Sequence, residues 1–226
     1  SNKRRDASPA LASLCLLIFF CSLELYIEKD YSMDTGLILN ASIQNIDTTY
    51  GGVRGTTLSS RHNMRYWQTI VDSGVRTIIE LRDEDHSDRL CRMCETHGIR
   101  YFAFPMDSHR VPNERIAHRL RELFELIDNG DFYIACAMGL HRTDIALSIY
   151  WVFHGADNGM NPPVLRGHVV NGELVLDRIH NKVFRRLNSL YAYLMKKSII
   201  PVPDCVTFAQ RKKDLIDFNR RHIINV

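Results

Sequence analysis

The sequence predicts an α/β domain with a central, largely parallel sheet flanked by helices, followed by extra C-terminal helices. Three observations predict it. Short β-branched or aromatic runs recur at residues 74–81, 99–104 and 132–135. Segments with helical signals separate these runs, which is the alternation typical of parallel sheets. The 226 residues, 45% hydrophobic and 24% charged, are ordinary globular usage and suffice to bury one sizeable core.

Each element has its own local signal. The run GVRTIIEL, 74–81, is short and β-branched, so it predicts a buried strand. A helix over 85–98 would end at Gly98, and IRYFAF, 99–104, predicts the next strand. A long helix is expected over 112–130, with Pro112 near its start, Asn129-Gly130 at its end and apolar residues at helical spacing between them: Ile116, Leu120, Leu123 and Ile127. The strand FYIA, 132–135, then leads through a loop into a helix over 143–155.

The C-terminal third adds packing elements rather than a second domain. Residues 160–174 read as an irregular connection, with Gly167 and Gly172 as breakers. Helices are predicted over 175–197 and from 206 to about 221. We therefore expect an extension over residues 1–40 and one domain over residues 41–226.

The N-terminal extension allows two interpretations. Basic residues precede the apolar run 10–23, which is the layout of an export signal, but no small-x-small cleavage site follows. The run is also below the ~18 residues of a membrane span, which suits a buried element. We expect a cytoplasmic protein, with an export or anchor signal as the alternative and membrane contact left open.

Charge and cysteine content exclude several classes. A formal net charge of +3 gives no case for nucleic acid binding. Cys91 and Cys94 form one CxxC without a second pair or a nearby His pair, so no zinc set is complete. They fall in the predicted 85–98 helix, which favours ordinary helix residues, with a redox or metal role as the alternative. No metal and no cofactor is expected.

The chemistry concentrates in a loop that we call the cysteine loop, residues 136–142. Cys136 follows a strand, and Arg142 comes six residues later, followed by Thr143 and a helix. A helix N-terminus and nearby cations lower a cysteine pKa, and loop amides form an anion site. Arg142 can grip two phosphate oxygens at once, and Thr143 can donate to the sulfur. The sequence therefore predicts a phosphate-binding loop with Cys136 as its nucleophile.

Attack at phosphorus also requires a proton for the departing oxygen. Asp107, after the strand at 99–104, is the candidate acid, because strand ends of one parallel sheet face one pocket. Asp83 and Asp85 follow the preceding strand and are the alternative acids.

The segment FYIACAMGLHRTD resembles the signature loop of cysteine-dependent protein tyrosine and dual-specificity phosphatases. FPMD resembles their general-acid loop, and the likeness runs over roughly residues 43–155. It implies a tyrosine-phosphatase-like fold, Cys136 as nucleophile, Arg142 as phosphate binder, Thr143 as the hydroxyl beside the thiolate and Asp107 as acid. It also implies a bound phosphate or sulfate ion, a phosphorylated protein or small molecule as substrate, and a cradle of loop amides from Ala137, Met138, Gly139, Leu140 and His141.

Three positions depart from that pattern. Ala135 stands where the family usually has a histidine that acidifies the thiol, and Asp144 stands where glycine is common. The GLHRT run is similar to the plant and fungal atypical dual-specificity group, which is associated with inositol pyrophosphates as well as phosphoproteins. Leu140 replaces the lysine usual there, although a protonated His141 would restore part of the charge.

Four functions follow. The first is a phosphatase acting on phosphotyrosine or mixed phosphoproteins. The second keeps the chemistry but acts on an inositol phosphate or phosphoinositide, for which Arg82, His109 and Arg110 are the candidate basic rim. The third is a phosphate-binding module with little turnover. The fourth, a rhodanese-like sulfurtransferase, ranks last because it needs no Asp107.

Overall fold

A computed structural model describes residues 32–60, 62–82, 88–106 and 111–224. From Met33 onward the described residues form one compact unit. The apolar run 10–23 lies outside the described residues, and the predicted division at residue 40 stays a prediction. Within the described ranges, no helix is long and apolar enough to cross a membrane.

A five-stranded sheet lies at the centre of the fold. Its spatial order is β1-β2-β5-β3-β4, and the strands are Asp47–Thr49 (β1), Gly52–Thr56 (β2), Thr77–Glu80 (β3), Arg100–Ala103 (β4) and Phe132–Cys136 (β5). β1 pairs antiparallel with β2, and every other pairing is parallel. The predicted largely parallel sheet is confirmed, and β5 lies at its centre.

Helices cover both faces of this sheet. The α-helices are Thr35–Leu39 (α1), Trp67–Asp72 (α2), Asp88–Thr96 (α3), Asn113–Ala117 (α4), Leu120–Asp128 (α5), His141–Tyr150 (α6), Leu176–Arg178 (α7), Arg185–Lys197 (α8) and Cys205–Ile224 (α9). Helices α1 to α3 pack with Val53, Ile78 and Tyr133 on one face. Helices α4 to α6, α8 and α9 pack with Ile79 and Ile134 on the other. Adjacent strand residues thus point to opposite cores, as a period of two requires.

The sequence reading missed β1 and β2. All five residues of β2 are buried, yet in its sequence, GVRGT, Val53 is the one apolar side chain beside two glycines, an arginine and a threonine. Gly55 leaves room for a neighbour, because a Cβ there would lie 2.4 Å from the Tyr133 hydroxyl oxygen. That hydroxyl donates to the Thr56 carbonyl at 2.7 Å. Tight packing of the two strands replaces the usual apolar run.

The prediction of a single helix over 112–130 was wrong in one respect. It is broken between α4 and α5 at His118 and Arg119, where Arg119 has φ −107° and ψ 0°. The Arg119 guanidinium lies over the Phe102 ring at 4.1 Å and donates to the Ala103 carbonyl. These contacts with β4 account for the break. The predicted end holds, since Gly130 has φ +69°.

The C-terminal elements pack on the same core as the sheet. A π-helical turn, Trp151–Gly155, extends α6, and another, Ile179–Phe184, joins α7 to α8. A hairpin of two short antiparallel strands, Val169–Val170 and Glu173–Leu174, interrupts the predicted irregular connection. Leu187 and Leu190 of α8 and Leu215 of α9 are fully buried in the cluster that holds Ile145. The predicted helices over 175–197 and 206–221 are confirmed.

Candidate active site

The cysteine loop joins the last residue of the central strand to a helix. Cys136 ends β5, and α6 begins at His141. The Cys136 carbonyl accepts hydrogen bonds from the Thr57 amide at 2.9 Å and the Gly139 amide at 3.3 Å. The backbone of Cys136 is therefore held by the residue that follows β2 and from within its own loop.

Gly139 is required by the shape of the loop. Its φ is +64°, and a Cβ at this position would lie 2.4 Å from the Gly55 carbonyl carbon. The loop thus presses directly on the backbone of β2. A side chain at position 139 would force the loop and β2 apart.

The cysteine sulfur lies beside a hydroxyl group. Thr143, in the first turn of α6, donates from Oγ1 to Cys136 Sγ at 3.4 Å. Cys136 is 3% exposed and Thr143 is fully buried. Among the described residues, the Thr143 hydroxyl is thus a hydrogen-bond donor aimed at the sulfur. The structure thus brings together two of the predicted catalytic side chains.

Three carbonyl groups of the loop are bound from behind. Asn45 Nδ2 donates to the Met138 carbonyl at 2.8 Å. The buried Arg54 of β2 donates to the Gly139 carbonyl at 2.9 Å and the Leu140 carbonyl at 3.2 Å. The backbone of the loop is therefore fixed by side chains from outside it.

The amide groups of the loop make fewer hydrogen bonds than its carbonyl groups within the described residues. Within the described ranges, the amides of Ala137, Met138 and Leu140 donate to no protein acceptor. The first amides of α6 also have no intrahelical acceptor, as at any helix start. Unpaired amides at a helix N-terminus are suited to an anion.

Asp144 points away from the loop's amide side. Its Oδ1 accepts from Arg54 Nη2 at 2.6 Å, and its Oδ2 accepts from the Gly167 amide and from His168 Nδ1, both at 2.8 Å. Asp144 and His168 are fully buried, and Arg54 is 2% exposed. Both oxygens of the Asp144 carboxylate are therefore occupied by partners outside the cysteine loop.

Ala135 lies in the sheet between small and acidic neighbours. It is buried and pairs with Gly55 on one side and Glu80 on the other. Glu80 accepts from Thr57 Oγ1 at 2.6 Å and from Arg82 Nε at 3.0 Å. Burial raises the pKa of Glu80, and these two donors oppose the rise.

His141 opens α6 beside further basic groups. Burial lowers its pKa, and the positive charge of Lys182 lowers it further. His141 is therefore mostly neutral near pH 7, and its ring meets the His168 ring edge-on at 5.4 Å. The charge that a protonated His141 would supply is small at this pH.

The remaining predicted site residues divide into two groups. Arg142 lies half-buried in the first turn of α6. Asp107, its alternatives Asp83 and Asp85, and the rim candidates His109 and Arg110 lie outside the described residues. Their predicted roles stay predictions.

The CxxC cysteines lie on α3. Burial raises the pKa of Cys94 to about 12 and also raises that of Cys91. Both thiols are therefore protonated at neutral pH and poor nucleophiles. Among the described residues, no group of three or more potential ligands could hold a metal ion.

A family comparison bears on this site. The model of the tyrosine phosphatase family, Y_phosphatase2, matches residues 47–151, which span β1 to β5, the cysteine loop and α6. The predicted family resemblance is confirmed. Residues 47–151 thus match the tyrosine phosphatase family, and the match ends before the C-terminal helices begin.

Two solved structures illustrate the similarity. The core catalytic domain of the PP-IP phosphatase SIW14 from S. cerevisiae is 14% identical, with a TM-score of 0.42, over 72% of this chain and 98% of that one. TpbA from P. aeruginosa is 15% identical, with a TM-score of 0.39, over 76% of this chain and 91% of that one. No curated protein sequence matches this chain.

Sequence reasoning missed the residues behind the loop. Arg54 is an arginine flanked by small residues in an unpredicted strand, and Gly167 and His168 lie in a segment read as irregular. One feature of the sequence pointed to a buried Arg54, namely that Gly52 and Gly55 lie close to it in the sequence. A buried arginine needs hydrogen-bond partners and space, and glycines leave that space.

Proposed function

We propose that this chain is a phosphomonoester hydrolase that uses Cys136 as its nucleophile and passes through a phosphocysteine intermediate. The single observation that carries the proposal is the Thr143 hydroxyl 3.4 Å from the Cys136 sulfur, at the start of a glycine-shaped loop that ends in Arg142. The family match over residues 47–151 supports the same chemistry.

The proposed reaction has two steps. The Cys136 thiolate attacks phosphorus, the bond from phosphorus to the ester oxygen breaks, and Asp107 donates a proton to the departing oxygen. A water molecule then attacks the phosphocysteine, gives a proton to Asp107, and the sulfur leaves as thiolate. Arg142 and the loop amides, Ala137 to His141, would hold the phosphoryl oxygens in both steps.

The favoured substrates are phosphotyrosine or mixed phosphoproteins. Leu140 and the mostly neutral His141 put little positive charge on the loop itself. A phosphotyrosine carries one phosphate on an apolar ring and needs less charge than an inositol polyphosphate.

One observation favours the second substrate class. The charges of Lys182 and Arg178 lower the pKa of His141, so two cations from the C-terminal helices lie near the loop. A soluble inositol polyphosphate or pyrophosphate would profit from such cations. Rates on phosphotyrosine peptides and on inositol phosphates, measured side by side, separate the two classes.

The deciding experiment is hydrolysis of an aryl phosphate by the purified chain and its variants. We expect Cys136→Ser to abolish turnover and Asp107→Ala to slow it by roughly 10²–10⁴-fold, as for a lost general acid. Cys205→Ser is the matched control, because Cys205 is an exposed free cysteine on α9.

The outcomes discriminate clearly. Turnover that survives Cys136→Ser would remove both phosphatase hypotheses. Wild-type protein that binds phosphate without turnover would instead support a phosphate-binding module.

A further inference from the structure

We propose that Arg54 is a positioning residue of the phosphate site, and that Asp144 and a C-terminal strap, residues 163–168, hold it in place. The inference rests on the proposed function and goes beyond it. It extends the site to a strand residue and to a segment that follows the family match. Arg54 would act through the loop backbone rather than by touching the substrate.

The argument starts from the geometry of a peptide bond. In a trans peptide the C=O of one residue and the N–H of the next point in opposite directions. Arg54 binds the carbonyls of Gly139 and Leu140. The amides of Leu140 and His141 are therefore turned away from Arg54, toward the open side of the helix start.

The charge of Arg54 is also matched to its position. Asp144 in the first turn of α6 would otherwise place a negative charge close to a bound phosphate. The 2.6 Å contact with Arg54, with both side chains buried, draws that carboxylate behind the loop and neutralises it. One guanidinium thus orients two amides and removes a repulsive charge.

The strap completes this arrangement from the other side. Arg54 Nη1 donates to the Val164 carbonyl at 2.9 Å, and the Gly167 amide and His168 ring donate to Asp144. A Cβ on Gly167 would lie 2.8 Å from the His141 nitrogen, so the strap touches the loop backbone.

Helix α9 holds the strap itself. The buried Asn219 accepts from the Leu165 amide at 2.7 Å and donates to the Pro163 carbonyl at 3.0 Å. A continuous chain of contacts therefore connects α9, the strap, Arg54 and the cysteine loop.

The test compares Arg54→Met with Arg211→Met in the 226-residue chain. Arg211 is a matched control, because it is also a buried arginine that donates to a carbonyl, that of Val152, and to a carboxylate, that of Asp157. Arg54→Met loses bonds to three carbonyls and one carboxylate, and Arg211→Met loses bonds to one carbonyl and one carboxylate. Of the two arginines, only Arg54 contacts the cysteine loop. The readouts are thermal unfolding, inhibition of aryl phosphate hydrolysis by inorganic phosphate, and hydrogen exchange of the amides in residues 137–142.

We expect Arg54→Met to raise the phosphate inhibition constant by about tenfold or more, because two amides that face the anion lose their orientation. Loop amide exchange should rise with it. Arg211→Met should lower the unfolding temperature while changing phosphate inhibition less than about twofold. Equal phosphate inhibition and equal loop exchange in the two variants would overturn the inference.

Arg54→Lys keeps the test valid if the methionine variant does not fold. Lysine keeps the charge but lacks the planar fork that reaches two carbonyls and a carboxylate. Weakened phosphate binding in this variant supports the inference, and wild-type binding refutes it. If wild-type protein neither binds nor hydrolyses phosphate, the proposed function fails. Loop exchange in Arg54→Met against Arg211→Met then decides the inference alone.

Discussion

The Thr143 hydroxyl offers the sharpest test of the proposed chemistry. Thr143→Val replaces the hydroxyl by a methyl group of nearly the same shape in a fully buried position, so the change removes the bond to Cys136 Sγ and little else. The sulfur is charged when it attacks and when it leaves the phosphocysteine. The transition state for its release should be less stable without the donor.

The size of the effect follows from the type of bond. A hydrogen bond to a charged group contributes about 1.5–3 kcal/mol, and about 1.4 kcal/mol corresponds to a tenfold rate change. We therefore expect phosphocysteine breakdown to slow by about 10- to 150-fold. Stopped-flow hydrolysis of an aryl phosphate should show a clear burst of phenol release followed by slow turnover.

Two controls accompany this variant. Thr143→Ser keeps the hydroxyl and should stay near wild type. Ser148→Ala removes another buried hydroxyl of α6, one without a hydrogen-bond partner among the described residues, and should leave turnover unchanged. If Thr143→Val turns over like Ser148→Ala, the hydroxyl does not serve the sulfur and the reasoning is refuted.

Two further predictions concern the frame of the site. Gly139→Ala should lower the free energy of unfolding by more than the ~1–2 kcal/mol of a left-handed backbone alone, because its Cβ would meet Gly55 at 2.4 Å. Gly98→Ala is the control in urea unfolding, because Gly98 has φ +66° and nothing within 4 Å of an added Cβ, so only the backbone cost remains. Equal losses of stability in the two variants would contradict the clash. Because burial raises the pKa of Glu80, the folded state holds that proton more tightly, so wild-type stability relative to Glu80→Gln should fall as pH rises above about 4.5. Urea titrations from pH 4.5 to about 7.5 check this, and a pH-independent difference would show that Glu80 does not titrate as inferred.

The elements found from sequence are those with a strong local signal. β3 and β5 are β-branched or aromatic and buried on both faces, so they read as strands without any knowledge of their partners. Gly98 and Gly130, at φ +66° and +69°, end helices where the sequence predicted an end. The cysteine loop was found because the residues that carry its predicted chemistry, Cys136 to Thr143, are close together in the sequence.

The elements missed from sequence depend on distant partners. β2 is recognisable as a strand only once Phe132 and Tyr133 are known to fill the space at Gly52 and Gly55, respectively. The break between α4 and α5 likewise depends on Phe102 and the Ala103 carbonyl, which lie on β4. Helical periodicity carries no information about either contact.

Asp144 shows why a local departure from a motif is a poor guide to activity. Taken by itself, a carboxylate in the first turn of α6 predicts either a favourable interaction with the helix dipole or repulsion of phosphate. The outcome is decided by Arg54, 90 positions earlier, and by His168, 24 positions later. With both partners in place, the carboxylate becomes part of the support behind the loop. Asp144 thus connects the cysteine loop to the strap, and the proposed phosphate site cannot be judged from the cysteine loop alone.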